Sequence, residues 1–90
     1  VAKRQLIARA DLAELKAAIK TAIEEGADEA TLDEARMAWS KGRWYLRYTY
    51  GHEGENVGKK AAHNYDVMMN VLAQAHEVVT QGIDLLAVKD

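Results

Sequence analysis

Neither cysteine nor proline occurs in this ninety-residue sequence. Without cysteine, the chain cannot form disulfides, thiolate zinc sites or the thioether bonds of a c-type haem within itself. Without proline, and with abundant Ala, Leu, Glu and Lys, it favours long uninterrupted helices. A net charge of −2 argues against a general nucleic-acid binder, which is usually basic. No run approaches the roughly 18 apolar residues that a membrane span needs, so we expect none.

The spacing of apolar residues predicts three helices in a single domain over residues 1–90. We expect them at about 11–25, 29–50 and 64–87, with a glycine-containing loop at 51–62. Asp11 and Glu14 form a capping-box pattern at the first start, and Gly26 occupies the place of a C′ glycine. The predicted fold class is therefore all-α: a three-helix antiparallel hairpin or bundle whose second and third helices are long.

The second and third predicted helices carry further signals. Thr31 and Glu34 form another capping-box pattern, and Gly42 in mid-helix indicates that something packs close to the backbone. Asn64 is a good N-cap for the third helix. That helix has an apolar stripe wider than one neighbour needs, which predicts an oligomer or inter-domain contact.

The sequence offers no self-contained catalytic motif, because no nucleophile lies near a histidine and no phosphate-binding loop is present. Three histidines are the candidate metal ligands. We interpret His52 as a solvated loop residue and His76 as a half-exposed helical residue. His63 lies at the predicted start of the third helix, where it either hydrogen-bonds locally or presents a ring nitrogen to a metal held elsewhere.

The segment from Lys41 to Tyr48 alternates cations with aromatic residues. Platforms for single-stranded nucleic acid use the same combination. On a helix, however, these side chains splay around the axis and do not form a flat stacking surface. A partner interface rich in Trp, Tyr and Arg is the better interpretation, and we expect no nucleic-acid partner.

Three short motifs carry a family resemblance: Asp33-Glu34-Ala35-Arg36, then Arg43-Trp44-Tyr45, then Ala62-His63-Asn64-Tyr65-Asp66 opening a long apolar helix. In this order they resemble the C-terminal helical segment of multihaem c-type cytochromes of the cytochrome c nitrite reductase and hydroxylamine oxidoreductase type. The sequence departs from that pattern at Ala61, where the family often has glycine, and at Tyr65, where it often has proline.

The resemblance implies that His63 is a distal axial ligand, and hence a metal and cofactor ligand, to a haem c attached covalently to another segment or chain. The partner would be a haem-bearing cytochrome segment or subunit in an oligomeric, periplasmic or extracytoplasmic electron-transfer oxidoreductase. This chain would supply subunit packing and no catalytic residue. The alternative hypothesis is a cofactor-free interaction module that dimerises through its third helix. A small nucleic-acid binder ranks third.

Overall fold

A computed structural model of the chain describes the backbone of residues 2–55 and 61–87 and the side chains of residues 2–50 and 66–87. Three helices account for most of it: α1 (Ala2–Glu24), α2 (Glu29–Glu55) and α3 (Ala61–Ala87). No strand occurs among these residues. The predicted all-α class and the three long helices are confirmed, and the helices pack into an elongated body of 51 × 18 × 17 Å.

Helix α1 begins at Ala2, nine residues before the predicted start at position 11. The capping-box interpretation of Asp11 is wrong, because Asp11 lies in mid-helix and its carboxylate is 2.6 Å from Nδ1 of His76 on α3. The helix extends backwards because Gln5 and Ala8 continue its buried face. A residue that can cap a helix is also free to bind a distant partner, and the local pattern does not distinguish the two uses.

The turn between α1 and α2 follows the sequence prediction at Gly26, which has a positive φ of 79°. The Gly26 N–H donates to the carbonyl of Ile23, and the Ala27 N–H donates to that of Ala22. This pair of bonds is a Schellman motif, which favours glycine at C′. The next helix is capped by Asp28 and not by Thr31, because the Asp28 carboxylate accepts hydrogen bonds from the Thr31 N–H and hydroxyl at 3.2 and 2.8 Å.

The predicted loop at 51–62 is shorter than expected. Helix α2 continues to Glu55 and α3 begins at Ala61, while residues 56–60 lie outside the described part of the chain. Gly51 and Gly54 each weaken a helix by about 1 kcal/mol, yet extending an existing helix adds one backbone bond for each residue fixed. Ala61 and Ala62 have the highest helix propensity, so α3 starts there and the predicted N-cap Asn64 is already helical.

Buried positions recur at alternating intervals of three and four residues on every helix. This spacing averages 3.5 residues, the period of left-handed coiled coils and antiparallel helical bundles. Buried or partly buried residues at this spacing are Gln5, Ala8, Leu12, Leu15, Ile19 and Ala22 on α1; Leu32, Ala35, Trp39, Gly42, Leu46 and Thr49 on α2; and Met68, Leu72, Ala75, Val79, Gly82 and Leu86 on α3.

Two helical glycines let α2 and α3 approach closely. A Cβ added at Gly42 would overlap the side chain of Val79 and lie 3.3 Å from Leu12 Cδ2. A Cβ added at Gly82 would lie 3.0 Å from both Ala38 Cβ and Leu15 Cδ2. The close approach predicted for Gly42 is confirmed, and Gly82 makes the reciprocal contact from α3.

Hydrogen bonds between side chains and the neighbouring helix hold α1 against α2. The Gln5 amide donates to the Thr49 hydroxyl at 3.0 Å, and that hydroxyl donates to the Leu46 carbonyl at 2.7 Å. Farther along, the Trp39 indole N–H donates to the Leu12 carbonyl at 3.1 Å. Gln5 near the start of α1 meets Thr49 in the second half of α2, so the two helices are antiparallel, as predicted.

Candidate protein-interaction surface

The side of α2 that faces away from the bundle carries an unusual set of side chains. Because the core residues of α2 define its inward side, the positions farthest from the core follow from the same seven-residue repeat. Met37 and Trp44 occupy two of these positions, and they are 71% and 61% exposed. We call this surface the outer face of α2 and define it by Asp33, Glu34, Met37, Lys41, Trp44 and Arg47, all of them exposed.

Aromatic neighbours on the same helix support the Trp44 ring. The ring lies edge-on to Tyr45 with centroids 5.5 Å apart, and it stacks on Tyr48 at 5.8 Å with an interplanar angle of 30°. Both geometries are favourable for aromatic pairs. A large apolar ring is therefore held in a defined orientation while most of its surface remains in contact with water.

The remaining aromatic residues of this segment face other directions. Trp39 is half-buried against α1, and the Arg43 guanidinium lies 5.5 Å from the centre of its ring. Arg9 of α1 lies 5.2 Å from the Tyr50 ring. These are cation–π contacts within the bundle. The aromatic side chains thus splay around the helix as its spacing predicts, and the stretch from Trp39 to Tyr50 does not form one flat stacking platform.

Charge changes sign along the outer face of α2. Asp33 and Glu34 lie before Met37, whereas Lys41 and Arg47 lie on the other side of it. Asp33 also binds Arg36 at 3.1 Å on the helix surface. Within the described part of the chain, neither Glu34 nor Arg47 has an ion-pair partner. The face therefore combines an acidic half, two large exposed apolar side chains and a basic half.

An open groove of about 890 Å³ runs beside this face, between α2 and α3. Met37 and Lys41 form part of its α2 wall, and Val78 and Leu85 line it from α3. Ala38 and Gly82 also line the groove, and their small size leaves space between the two helices. An apolar side chain placed against Met37 thus has further apolar surface available next to it.

Of the three histidines, His76 is the one whose side chain lies in the part of the chain that the structure describes. His76 is exposed and contacts Asp11, so the half-exposed helical interpretation fits its position. His52 belongs to α2 and not to a loop, and His63 belongs to the first turn of α3. The side chains of His52 and His63 lie outside the description, so the ligand role of His63 stays a prediction.

Residues 2–50 and 66–87 contain no group of three or more His, Cys, Asp or Glu side chains arranged to hold a metal ion. The interior between the helices is filled by protein side chains, with Leu15, Thr49 and Val79 almost fully buried. This packed interior does not fit a haem. A haem contacting this chain would have to lie outside the described core and be attached to another segment or chain, as the resemblance implies.

The fold and this surface define the class of the protein as an antiparallel three-helix bundle with a coiled-coil-like core and an amphipathic outer face. No protein-family model matches the chain, and no curated protein or solved structure is significantly similar to it. The multihaem cytochrome resemblance therefore stays a prediction. Within residues 2–55 and 61–87, no helix combines the length and the apolar character that crossing a membrane requires.

Proposed function

We propose that this chain is a helical packing segment that binds another protein through the outer face of α2. The observation that supports this most directly is Trp44, which is 61% exposed although its ring is already oriented by Tyr45 and Tyr48. Trp, Tyr and Arg are the residue types that contribute most to binding energy at protein interfaces. Trp44, Tyr48 and Arg47 supply all three within two turns of one helix.

The physical reason for binding through Trp44 is the removal of its apolar surface from water. An exposed indole gains about 25 cal/mol for each Å² of apolar surface removed from water. A ring that is already held in place loses little conformational freedom on binding, so more of that gain is retained as affinity. Met37 and the adjoining groove extend the apolar surface available to a partner.

A photo-reactive amino acid tests this proposal in the protein's own cells. We expect p-benzoylphenylalanine in place of Trp44 to give a covalent product with one defined protein after irradiation. The matched control carries the same amino acid in place of Ala17, an exposed residue of α1. Equal products from the two positions, or none from position 44, would contradict a docking role for the outer face of α2.

A second candidate function follows from the resemblance: the segment packs within a multihaem electron-transfer oxidoreductase and supplies His63 as a distal haem ligand. One structural observation favours it. Helix α3 begins at Ala61, so His63 lies in the first turn of a 27-residue helix, where the resemblance expects the ligand. The chain has no cysteine, so the haem would be attached to the partner.

The visible spectrum tests the ligand. The chain is mixed with its candidate haem-bearing partner, and the wild type is compared with His63→Ala and His76→Ala. We expect the low-spin bis-histidine signal to be lost in the His63 variant alone. His76 is a suitable control because its ring already contacts Asp11. An unchanged spectrum in both variants removes the ligand role without affecting the packing proposal.

A further inference from the structure

We infer that the partner of the outer face of α2 is a second copy of the same chain, packed antiparallel against it about a twofold axis. This inference rests on the proposed packing function and identifies its partner. The argument depends on where charge and apolar surface lie along α2.

A twofold interface is isologous, so each residue of the surface must meet a complementary residue of the same surface. Met37 and Trp44 are seven residues apart, which is about 10 Å along a helix. An axis through the midpoint between them places Met37 of each copy against Trp44 of the other. Each copy then covers Met37 of its partner, the most exposed large hydrophobic side chain in the described residues, and the indole comes to lie beside the groove.

The same axis matches the charges. Asp33 and Glu34 lie on one side of the midpoint between Met37 and Trp44, and Arg47 lies at the corresponding distance on the other side. In the antiparallel pair, Asp33 and Glu34 of each copy therefore lie near Arg47 of the other, whereas Lys41 lies beside the axis and faces no acidic residue of this surface. A parallel arrangement would place acidic against acidic and basic against basic, and like charges so juxtaposed are unfavourable.

The interface is built without disturbing the fold. All six residues of the outer face of α2 point away from the core, and Glu34 and Arg47 have no ion pair to break within the described residues. The exposed Asp33–Arg36 pair contributes little, as is usual for surface ion pairs, so Asp33 is available to a partner at little cost.

The test uses two charge-reversed forms of the ninety-residue chain. The first carries Asp33→Lys and Glu34→Lys, which makes the whole outer face basic. The second carries Lys41→Glu and Arg47→Glu, which makes it acidic. Sedimentation over a range of concentrations should show a dimer for the wild type. Each variant alone should show a dissociation constant raised at least tenfold, and the equimolar mixture should regain the dimer as a heterodimer.

Matched controls carry the same changes of charge elsewhere. Glu77→Lys with Asp84→Lys alters α3, and Lys16→Glu with Lys20→Glu alters α1, all at exposed positions. Both controls should dimerise like the wild type. Circular dichroism verifies that each variant is folded, and Trp44→Ala, which changes no charge, should also raise the dissociation constant at least tenfold.

Three results would overturn the inference: a wild type that stays monomeric, a dimer that neither reversed variant weakens, or a mixture that does not regain the dimer. The packing proposal has its own readout. A monomeric chain that still gives a defined cross-link from position 44 to a different protein retains the docking function and loses the self-association. Absence of both the dimer and the cross-link removes both proposals.

Discussion

The two contacts that α2 makes within the bundle are built differently. Against α3 it presents small residues, and Gly42 lets the backbone come so near that a single methyl group would overlap Val79. Against α1 it uses directed polar contacts, namely Gln5 with Thr49 and Trp39 with the Leu12 carbonyl. The first contact depends on shape and the second on hydrogen-bond partners, so they should respond to different substitutions.

The shape-dependent contact should be the more sensitive. Gly42→Ala gains about 1 kcal/mol of helix propensity but introduces a methyl group into a filled space, which typically costs about 1–3 kcal/mol or more. Because Val79 is β-branched and cannot turn aside easily, we expect a cost near the upper end of that range, about 3 kcal/mol, and hence a net loss of about 2 kcal/mol in the free energy of unfolding. Urea denaturation measures this change.

A double-mutant cycle checks the cause of that loss. Val79→Ala removes the methyl groups that the new Cβ would meet, so Gly42→Ala should be neutral or stabilising in that background. If Gly42→Ala costs the same whether or not Val79 is present, the close approach of α2 and α3 is not the reason for the glycine.

The polar contact should be sensitive to the loss of one partner and tolerant of the loss of both. Thr49→Val keeps the side-chain shape but leaves the buried Gln5 amide without its acceptor, which costs about 1–3 kcal/mol. The double variant Gln5→Leu with Thr49→Val should recover most of that stability, because it leaves no unpaired group in this layer.

Unfolding in urea measures the stability of these variants. Amide hydrogen exchange measures a second property, how firmly the start of α1 is held. A buried polar pair of this kind can specify the register of neighbouring helices. The double variant should therefore exchange faster near the start of α1 even where its stability is restored. A Thr49→Val variant as stable as the wild type would show that the pair does not hold α1 in place.

The hydrogen bond from Trp39 to the Leu12 carbonyl should have a smaller effect on stability than the buried Gln5–Thr49 pair. Trp39→Phe keeps an aromatic ring against α1 but removes the N–H that donates to the Leu12 carbonyl. We expect a loss of about 0.5–1.5 kcal/mol, the usual net value of one hydrogen bond. Trp44→Phe is the matched control, since Trp44 is exposed and should leave the stability of the monomer unchanged. Equal losses in the two variants would contradict a specific role for the Trp39 indole.

The difference between local signals and contacts with distant residues explains what the sequence could predict. Local signals correctly predicted the three helices, the C′ glycine at Gly26 and a close approach at Gly42, although not its partner Val79. The caps predicted at Thr31 and Asn64 were wrong. Features set by distant partners were missed. Asp11 resembled a cap although it contacts His76, and Gln5 with Thr49 gave no sign of forming a buried pair 44 residues apart.

The candidate surface was only partly visible for the same reason. The aromatic and cationic residues of α2 suggested a partner interface, but the outer face of α2 could be defined only when the core was known. A helical spacing of four residues from Leu46 would place Tyr50 on the buried side, but Tyr50 is 38% exposed and Thr49 next to it is fully buried. A one-residue error of this kind hides which charges share a face. The ligand role of His63 stays a prediction.

The turn between α1 and α2 should show the smallest effect of the substitutions considered. Hydrogen bonds from the Thr31 hydroxyl and backbone hold the pKa of the Asp28 carboxyl below its usual value. A carboxylate with a lowered folded-state pKa stabilises the fold above its unfolded pKa of about 3.9 and loses that contribution as the pH falls through the folded value.

Thr31→Val removes the hydroxyl bond, so NMR titration should show the Asp28 pKa moving up toward its usual value. The backbone N–H bond remains in this variant, so α2 should still begin at Glu29, and the acid-induced weakening of its first turn should begin at a higher pH than in the wild type. An Asp28 pKa that does not move would mean that the backbone bond alone stabilises the charge. The geometry of the turn would then depend on Gly26 and on the Asp28 carbonyl, which accepts from the Leu32 N–H, more than on the Thr31 side chain.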